Sequence, residues 1–202
     1  MMHIYIDEAG RWPLAWPVYI WAIACKKKIE KSKPFQAYKD SKKLSHKQRE
    51  LLFSQLDSTG ILWSYGKSSA AYVDRYGIVV AIRQAIVSSI KKLIPDYKQQ
   101  MAQGNITLHI DGNTDFGLQK IFPNLHIYTY IKWDDSIAPI SAASIVAKVL
   151  RDREMVSRDR KYPLYWFTKH KGYGTQYHRD MIKKHGLSDI HRKSFCRNIV
   201  CL

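Results

Sequence analysis

The N-terminal run Met2–Ile6 is short and β-prone, and it leads directly into two adjacent carboxylates, Asp7 and Glu8. This pattern predicts a β-strand that ends on the acids, followed by a turn at 9–11. Neighbouring carboxylates at a strand end repel each other, and they are costly to desolvate unless a cation lies between them. The pair therefore indicates either a metal-binding strand end or a solvated acidic loop tip.

The overall charge separates these two interpretations. The chain of 202 residues has 33 Lys and Arg against 17 Asp and Glu, a formal net charge of +16. Such a surface attracts polyanions, of which nucleic acid is the leading candidate. Carboxylates kept at strand ends on a basic chain suit a metal-dependent phosphodiesterase, since Mg²⁺ prefers oxygen ligands. A nucleic-acid binder without chemistry would explain the charge but not the placement of the acids.

Length and composition predict one domain, or one domain with a small extension. Hydrophobic residues make up 46% of the chain, which is enough for a packed core. The three cysteines have no metal spacing, and an odd number argues against a disulfide framework. No apolar run approaches the roughly 20 residues that span a bilayer, and the N-terminus does not resemble a signal peptide. We therefore expect a cytoplasmic monomer that makes no membrane contact.

The predicted elements follow a mixed order. Further β-prone runs cover 17–25, 61–66, 106–110 and 125–131. Helical patterns cover 45–56, 69–94 (closed by Pro95) and 139–158. After about Tyr162, Lys, His, Gly and Tyr dominate, which predicts a short helical appendage with a basic, aromatic face. Strands that come first and then alternate with helices predict an α/β fold, a mixed sheet flanked by helices.

Carboxylates recur after the predicted strands. Asp111 follows the run 106–110, and Asp134 and Asp135 follow the run 125–131. Catalytic groups on such sheets gather at strand ends, where the loops open a crevice. Asp7, Glu8, Asp111 and one of Asp134 or Asp135 are therefore the candidate metal ligands.

At this point the motifs, in their order along the chain, resemble those of the ribonuclease HII family. They are Asp-Glu-Ala-Gly-Arg at 7–11, Pro-Leu-Ala at 13–15, Asp-Ser-Lys-Lys-Leu at 40–44, Asp-Gly-Asn at 111–113, Lys-Trp-Asp at 132–134, Ile140–Lys148, Arg151–Asp152, His170–Thr175 and His191–Phe195. The matches span nearly the whole chain, so the resemblance is specific. It implies a ribonuclease H-like catalytic domain over 1–160 and a C-terminal helical substrate-binding extension over 161–202.

The resemblance implies an endoribonuclease that cuts the RNA strand of RNA–DNA hybrids. It also implies cleavage on the 5′ side of single ribonucleotides in duplex DNA, leaving 3′-hydroxyl and 5′-phosphate ends. The implied catalytic carboxylates, which hold two Mg²⁺ or Mn²⁺ ions about 4 Å apart, are Asp7, Glu8, Asp111 and Asp134. A gapless fit of the stretch 140–144 selects Asp134 as the ligand and leaves Asp135 solvated or capping a helix. A DNA nuclease or integrase relative is disfavoured by the Gly-Tyr-Gly motif.

The resemblance also implies substrate contacts. Backbone groups at Gly10, Arg11 and Trp12 are expected to contact the 2′-hydroxyl and phosphates, and Tyr173 to pack on the following deoxyribose. The 2′-hydroxyl is the local group that distinguishes RNA from DNA. The expected phosphate contacts are Lys42, Lys43, Lys171, Arg192 and Lys193. Lys148 and Arg151, on one helix face, are expected ion-pair partners of the acids.

Four departures from the family pattern share one residue type. Tryptophan stands where the family has glycine at Trp12, Trp16, Trp133 and Trp166. Glycine serves such turns through positive φ or close backbone approach, and an indole is its worst replacement. One explanation is a set of UGA codons that the source organism reads as glycine and that have been translated as tryptophan. The other is true divergence to a catalytically impaired nucleic-acid-binding homologue, because Trp12 and Trp133 crowd the site.

Overall fold

A computed structural model describes residues 1–25, 44–58, 61–131 and 138–200, which form helices around a five-stranded mixed sheet. The strands are β1 (Met2–Ala9), β2 (Val18–Cys25), β3 (Leu62–Ser68), β4 (Ile106–Asp111) and β5 (His126–Tyr130). Their spatial order is β3-β2-β1-β4-β5. The β1–β2 and β2–β3 pairs are antiparallel, whereas β1–β4 and β4–β5 are parallel. The predicted α/β fold, a ribonuclease H-like mixed sheet, is confirmed.

The three predicted helical regions are present, one of them broken in two, whereas two short helices over 97–102 and 118–121 were not predicted. They are α1 (His46–Ser58), α2 (Ala70–Tyr76), α3 (Ile78–Leu93), α4 (Tyr97–Ala102), α5 (Leu118–Ile121), α6 (Ala138–Asp159), α7 (Phe167–His170) and α8 (Gln176–His185). The helical pattern over 69–94 is therefore two helices. Gly77 separates them with φ 81 and ψ 159, a conformation in which no helix continues and which glycine adopts without strain. The Ser69 side chain caps α2 by accepting a hydrogen bond from the Tyr72 N–H.

The central strands are buried on both faces, because successive side chains of a strand point to opposite sides and helices pack against each side. In β1, Ile4 and Ile6 enter a cluster with α3, where Ile82 and Ile86 are fully buried. The intervening Tyr5 enters the other cluster, beneath α6. Each fully buried Ile contributes about 1.5–3 kcal/mol relative to an exposed one, so the two clusters hold β1 firmly. The strand that carries the first two acids is thus the rigid centre of the molecule.

The C-terminal residues pack against the loop that follows β1. Phe167, Ile182 and Cys196 share one hydrophobic cluster with Leu14 and Trp16. The backbones are also joined, since the Trp16 N–H donates to the Ile190 carbonyl at 2.8 Å and an isolated β-bridge links Ala15 to His191. The division into 1–160 and 161–202 stays a prediction, and α6 ends at Asp159 beside that boundary.

The cysteines and the search for membrane-spanning helices can be described for the same residue ranges. Cys25 and Cys196 are buried free thiols. Within these ranges, no helix combines the length and the apolar character that crossing a membrane requires.

Candidate active site

The parallel pairing of β1 with β4 brings the first acids together. Ile6 lies opposite Ile110 in the register, so Asp7 and Asp111 follow at the same level on adjacent strands. Asp7, Glu8 and Asp111 line a cleft of about 350 Å³. The same cleft is lined by Gly10, Arg11, Trp12, Lys148, Arg151 and Tyr173, among others. Residues far apart in the sequence therefore meet at one edge of the sheet.

The pKa values of Asp7 and Glu8 in this cleft are raised, because their charged forms are unfavourable there. Burial, and then the negative charge of Asp111, raise the pKa of Asp7 from 3.8 to about 7. Burial also raises the pKa of Glu8, and Arg11, whose Nη1 lies 3.4 Å from Glu8 Oε1, offsets this only in part. The Glu8 N–H donates to Asp7 Oδ1 at 2.7 Å, and the Ser144 hydroxyl also bonds the Asp7 side chain. These hydrogen bonds lower the pKa of Asp7 only in part, so Asp7 is only partly ionised at neutral pH.

The donor set fits a hard divalent cation. Carboxylate oxygens are the ligands that Mg²⁺ and Mn²⁺ prefer, and a bound cation would favour the ionised form of Asp7 and Glu8. Glu8 Oε2 is buried and has no hydrogen-bond partner among the described residues. Within the described ranges, no three His, Cys, Asp or Glu side chains are grouped closely enough to complete a metal site by themselves. Asp134, the predicted fourth ligand, lies outside those ranges.

The turn after β1 has a positive φ at its glycine, as the residue type predicts. Gly10 is buried with φ +90, and a Cβ there would lie 3.1 Å from the Pro17 carbonyl oxygen. The Arg11 guanidinium lies 5.3 Å from the Trp12 ring centroid and 5.8 Å from that of Phe116. Trp12 itself is 74% exposed, so its indole lies at the rim of the cleft and does not fill it.

Tyr173 lines the same cleft. Its ring is 44% exposed and lies over the Arg151 guanidinium, 4.9 Å away. The Arg151 Nη2 donates to the Lys171 carbonyl at 2.5 Å. Arg151 therefore supports the tyrosine turn, whereas the sequence predicted an ion pair with the acids. Gly172, at φ +79, is required here because a Cβ would lie 2.8 Å from the Ala15 carbonyl oxygen.

The prediction that Arg192 contacts phosphate is wrong. Its side chain is fully buried, with 0% exposure. Its N–H groups donate to backbone carbonyls of the loop after β1, namely those of Gly10, Arg11, Pro13 and Trp16. Basic residues are usually exposed, so the sequence favoured a surface role, but four carbonyl acceptors make burial of this guanidinium possible.

The other predicted basic contacts lie elsewhere. Lys171 is half-buried and Lys193 is exposed, and Lys148 is exposed at the cleft. Lys42, Lys43 and Trp133 lie outside the described residues.

A chain of three buried histidines, for which the sequence predicted no role, holds the Tyr173 turn. The His170 Nδ1 accepts from the Gly172 N–H at 3.2 Å, and its Nε2 lies 2.7 Å from the Tyr165 carbonyl oxygen. His178 places Nδ1 at 2.9 Å from the Tyr173 carbonyl oxygen and Nε2 at 3.0 Å from His191 Nε2.

One set of neutral tautomers satisfies these contacts. The Ser188 N–H donates to His191 Nδ1 at 3.0 Å, so His191 must carry its proton on Nε2 and donate it to His178. His178 then carries its own proton on Nδ1 and donates it to Tyr173. Burial lowers the pKa of both His178 and His191 from 6.5 to about 4, which keeps this arrangement neutral at physiological pH.

This chain predicts acid-sensitive stability. The unfolded histidines bind protons at a higher pH than the folded ones, so the stabilisation is complete above about pH 6.5 and is lost as the pH falls towards 4. The expected loss is of order 2 kcal/mol for each histidine. Urea unfolding across this interval in metal-free buffer measures it.

Asp7 contributes to the pH dependence of stability with the opposite sign, so the control experiment removes its carboxyl group. Because the pKa of Asp7 is raised, Asp7 favours the folded state as the pH falls through 7, so the comparison uses an Asp7→Asn background. In that background, His178→Gln should lose less stability on acidification than the parent protein. An equal loss in both would contradict the role of His178.

The fold and the cleft together define a class of protein. A mixed sheet with carboxylates at the ends of adjacent parallel strands, flanked by a glycine turn and an exposed tyrosine, has the arrangement of a metal-dependent, ribonuclease H-like nuclease.

Comparison with known proteins identifies the family within this class. The family model described as Ribonuclease HII matches residues 4–198. Ribonuclease HII of Aliivibrio fischeri (strain MJ11) is 38% identical over 194 residues, 94% of this chain and 84% of that one. Ribonuclease HII of Shewanella sp. (strain W3-18-1) is 37% identical over 190 residues, 94% and 85% of the two chains. The crystal structure of ribonuclease H2 from Pyrococcus horikoshii OT3 superposes with TM-score 0.68 and 25% identity, covering 98% and 97%. The chain belongs to the ribonuclease HII family, whose members are endonucleases of the ribonuclease H class.

Proposed function

We propose that this protein hydrolyses the RNA strand of RNA–DNA hybrids and also cuts on the 5′ side of single ribonucleotides embedded in duplex DNA, leaving 3′-hydroxyl and 5′-phosphate ends. The observation that carries the proposal is the cleft itself. Asp7, Glu8 and Asp111 line it together with the Gly10 turn and Tyr173. Membership of the ribonuclease HII family supports the same substrate class.

The turn after β1 is suited to reading the 2′-hydroxyl through its amide groups. Arg192 already engages the carbonyls of Gly10 and Arg11, so these oxygens are not substrate contacts. The N–H groups of Gly10, Arg11 and Trp12 are the proposed donors to the 2′-hydroxyl and the adjacent phosphates. Gly10 gives the turn its positive φ and its close approach to the Pro17 carbonyl oxygen, which fixes the direction of these N–H groups.

Tyr173 is the proposed platform for the deoxyribose that follows the ribonucleotide. Arg151 lies beneath its ring and Gly172 and Gly174 flank it, so the ring has a fixed base and an exposed outer face. Lys171 and Lys193 are proposed to contact phosphates nearby, and the excess of positive charge favours the approach of a nucleic-acid duplex. Lys42 and Lys43 remain proposed phosphate contacts.

The proposed cofactors are two divalent ions, Mg²⁺ or Mn²⁺, held by Asp7, Glu8, Asp111 and Asp134. When bound, such ions activate a water molecule and stabilise the leaving oxygen. Because the pKa of Asp7 is about 7 without them, ion binding displaces a proton from this carboxyl near neutral pH. We therefore propose that metal affinity rises with pH through this range.

The alternative of an impaired nucleic-acid-binding homologue is not favoured. Three of the four expected carboxylates lie at the cleft, and Trp12 is mostly exposed at its rim. A monomeric state and a cytoplasmic location stay predictions.

A cleavage assay tests the proposed function. The substrates are an end-labelled DNA duplex with one ribonucleotide, an RNA–DNA hybrid and an all-DNA duplex, each with Mg²⁺, Mn²⁺ or a chelator. We expect metal-dependent cleavage of the first two, with a 3′-hydroxyl end on the 5′ side of the ribonucleotide. Cleavage of the hybrid alone would contradict the single-ribonucleotide activity, and binding without cleavage in either metal would support the impaired homologue.

A further inference from the structure

Arg192 is a buried cation whose side-chain hydrogen bonds to described residues all go to one loop. Nε donates to the Trp16 carbonyl at 2.9 Å and Nη2 to the Gly10 carbonyl at 2.6 Å. Nη1 donates to the Arg11 carbonyl at 2.9 Å and to the Pro13 carbonyl at 3.1 Å. A guanidinium has five N–H donors in a rigid planar group. Four of them bind carbonyls between Gly10 and Trp16, so they fix the relative positions of these seven residues.

Such an arrangement is unusual for a residue that only fills space. Burying a cation is costly, and burial lowers the pKa of Arg192 to about 10, which still leaves it charged at neutral pH. An aliphatic side chain would fill the same volume without this cost. The bonds that repay the burial of Arg192 go to the turn that lines the active-site cleft.

The residue before Arg192 is linked to a second turn that lines the cleft, the turn that carries Tyr173. His191 donates from Nε2 to His178 Nε2 at 3.0 Å, and His178 in turn donates from Nδ1 to the Tyr173 carbonyl at 2.9 Å. Consecutive residues of one short segment therefore hold the Gly10 turn and the Tyr173 turn. We name residues 188–194 the C-terminal strap.

The strap is itself fixed to the body of the protein. The Asp74 carboxylate on α2 accepts from the N–H groups of Lys193 and Ser194, each at 2.9 Å, and from the Ser194 hydroxyl at 2.5 Å. The Arg192 N–H donates to the Leu14 carbonyl at 2.8 Å. Because α2 holds its C-terminal end, the strap can set the distance between the two turns.

We propose that Arg192 is a positioning residue for the reaction: through the C-terminal strap it fixes the Gly10–Trp12 turn relative to Tyr173 and so places the ribonucleotide against the carboxylates. This inference rests on the proposed function of the cleft. Binding of the duplex depends mainly on charge spread over the surface, whereas turnover depends on sub-ångström placement of the scissile phosphate. Loss of Arg192 is therefore expected to lower kcat much more than it raises KM.

The test compares Arg192→Ala and Arg192→Lys with Ile86→Ala, in one background and at a temperature well below every unfolding midpoint. Ile86 is fully buried on the other face of the sheet, so its truncation lowers stability without touching the strap or the cleft. We expect kcat of Arg192→Ala on the single-ribonucleotide duplex to fall about 100-fold, the scale of an ångström-sized misplacement. The KM should change little, and Ile86→Ala should retain its kcat.

Chemical rescue gives a second readout that a purely structural role would not produce. Low concentrations of guanidinium chloride should restore part of the kcat of Arg192→Ala, because the cation can occupy the site formed by the four carbonyls. Sodium chloride at the same concentration should not, and neither salt should raise the kcat of Ile86→Ala. If Arg192→Ala does not fold, Arg192→Lys takes its place, since its single ammonium keeps the charge but cannot reach all four carbonyls.

Two results would overturn the proposal. One is a folded Arg192 variant with wild-type kcat, and the other is a loss of kcat that Ile86→Ala matches at equal stability. Failure of the proposed function is a different outcome, namely a parent protein that does not cut the single-ribonucleotide duplex. The same comparison on an RNA–DNA hybrid would then still decide the role of Arg192.

Discussion

Asp7→Asn is expected to lower the rate of cleavage by roughly 10³-fold or more, while the protein stays folded. The change removes one anionic oxygen from a site whose chemistry depends on the charge of bound metal. Asp7 lies beside Asp111 on the neighbouring parallel strand, so Asp111→Asn should have the same effect. Initial rates on an RNA–DNA hybrid at saturating Mg²⁺ or Mn²⁺ measure it.

Stability without metal distinguishes a lost ligand from a lost fold. Burial and the charge of Asp111 raise the pKa of Asp7 to about 7, so ionised Asp7 destabilises the metal-free protein above that pH. A neutral amide avoids this cost. The melting temperature of Asp7→Asn in chelator should therefore equal or exceed that of the parent above pH 7 and lose this advantage as the pH falls towards 4.

A nearby acid provides the matched control. Asp115 follows the same strand as Asp111, but its carboxylate caps the N–H groups of Gly117 and Gln119 and does not line the cleft. Asp115→Asn should keep its turnover. Near-normal turnover of Asp7→Asn would remove that residue from the catalytic site.

If the four tryptophans are misread glycines, reverting Trp12, Trp16, Trp133 and Trp166 together should raise the cleavage rate, whereas the change in melting temperature depends on the balance of strain and packing at each position. The structure adds a reason that the sequence lacked for two of these positions. Trp16 has φ 105 and Trp166 has φ 53, in the region of positive φ that glycine adopts freely and a side chain does not. Such strain costs of order 1–3 kcal/mol at each position.

At Trp16 and Trp166 the indole makes different packing contributions to stability, which have to be set against the backbone strain. Trp16 is 1% exposed and packs against Phe167, but its indole N–H is buried with no hydrogen-bond partner among the described residues. Truncating a buried tryptophan costs about 3–5 kcal/mol, which offsets the relief of strain. Trp166 is 51% exposed, so there the relief of strain outweighs the lost packing. Trp166→Gly is therefore the clearest single test and should stabilise the protein.

Trp63→Gly serves as the control because Trp63 lies in β3 and has no positive φ. It should destabilise the protein through lost packing and backbone entropy. The gene should carry UGA at the four positions and UGG at Trp63. UGG at all four in a genome with the standard code would defeat the misreading explanation, and full activity of the tryptophan-containing protein would show that these residues do not obstruct the site.

Local patterns in the sequence were enough to predict the strands, the helical regions and the family. Alternation of side chains in β1 and the apolar spacing in α3 are properties of a few consecutive residues, so they can be recognised without the fold. The motif around Asp7 and Glu8 is equally local. The sequence shows a glycine at position 77, but apolar residues with helical spacing continue on both sides of it. The sequence pattern therefore predicted one helix where the structure has two. Asp134, Lys42 and Lys43 stay predictions from the resemblance.

Tertiary structure alone decided which of these groups meet and what the basic residues do. Packing buried Asp7, and parallel pairing of β1 with β4 placed it beside Asp111; burial first and the charge of Asp111 second raised the pKa of Asp7. Arg192 reads as a surface charge in the sequence, because residue type does not determine burial. Its role depends on carbonyls of the loop that begins at Gly10. Burial keeps His178 neutral, and neighbouring donors and acceptors from other segments select its tautomer. Such roles are set by the surroundings of a side chain, and those surroundings exist only once distant parts of the chain have packed together.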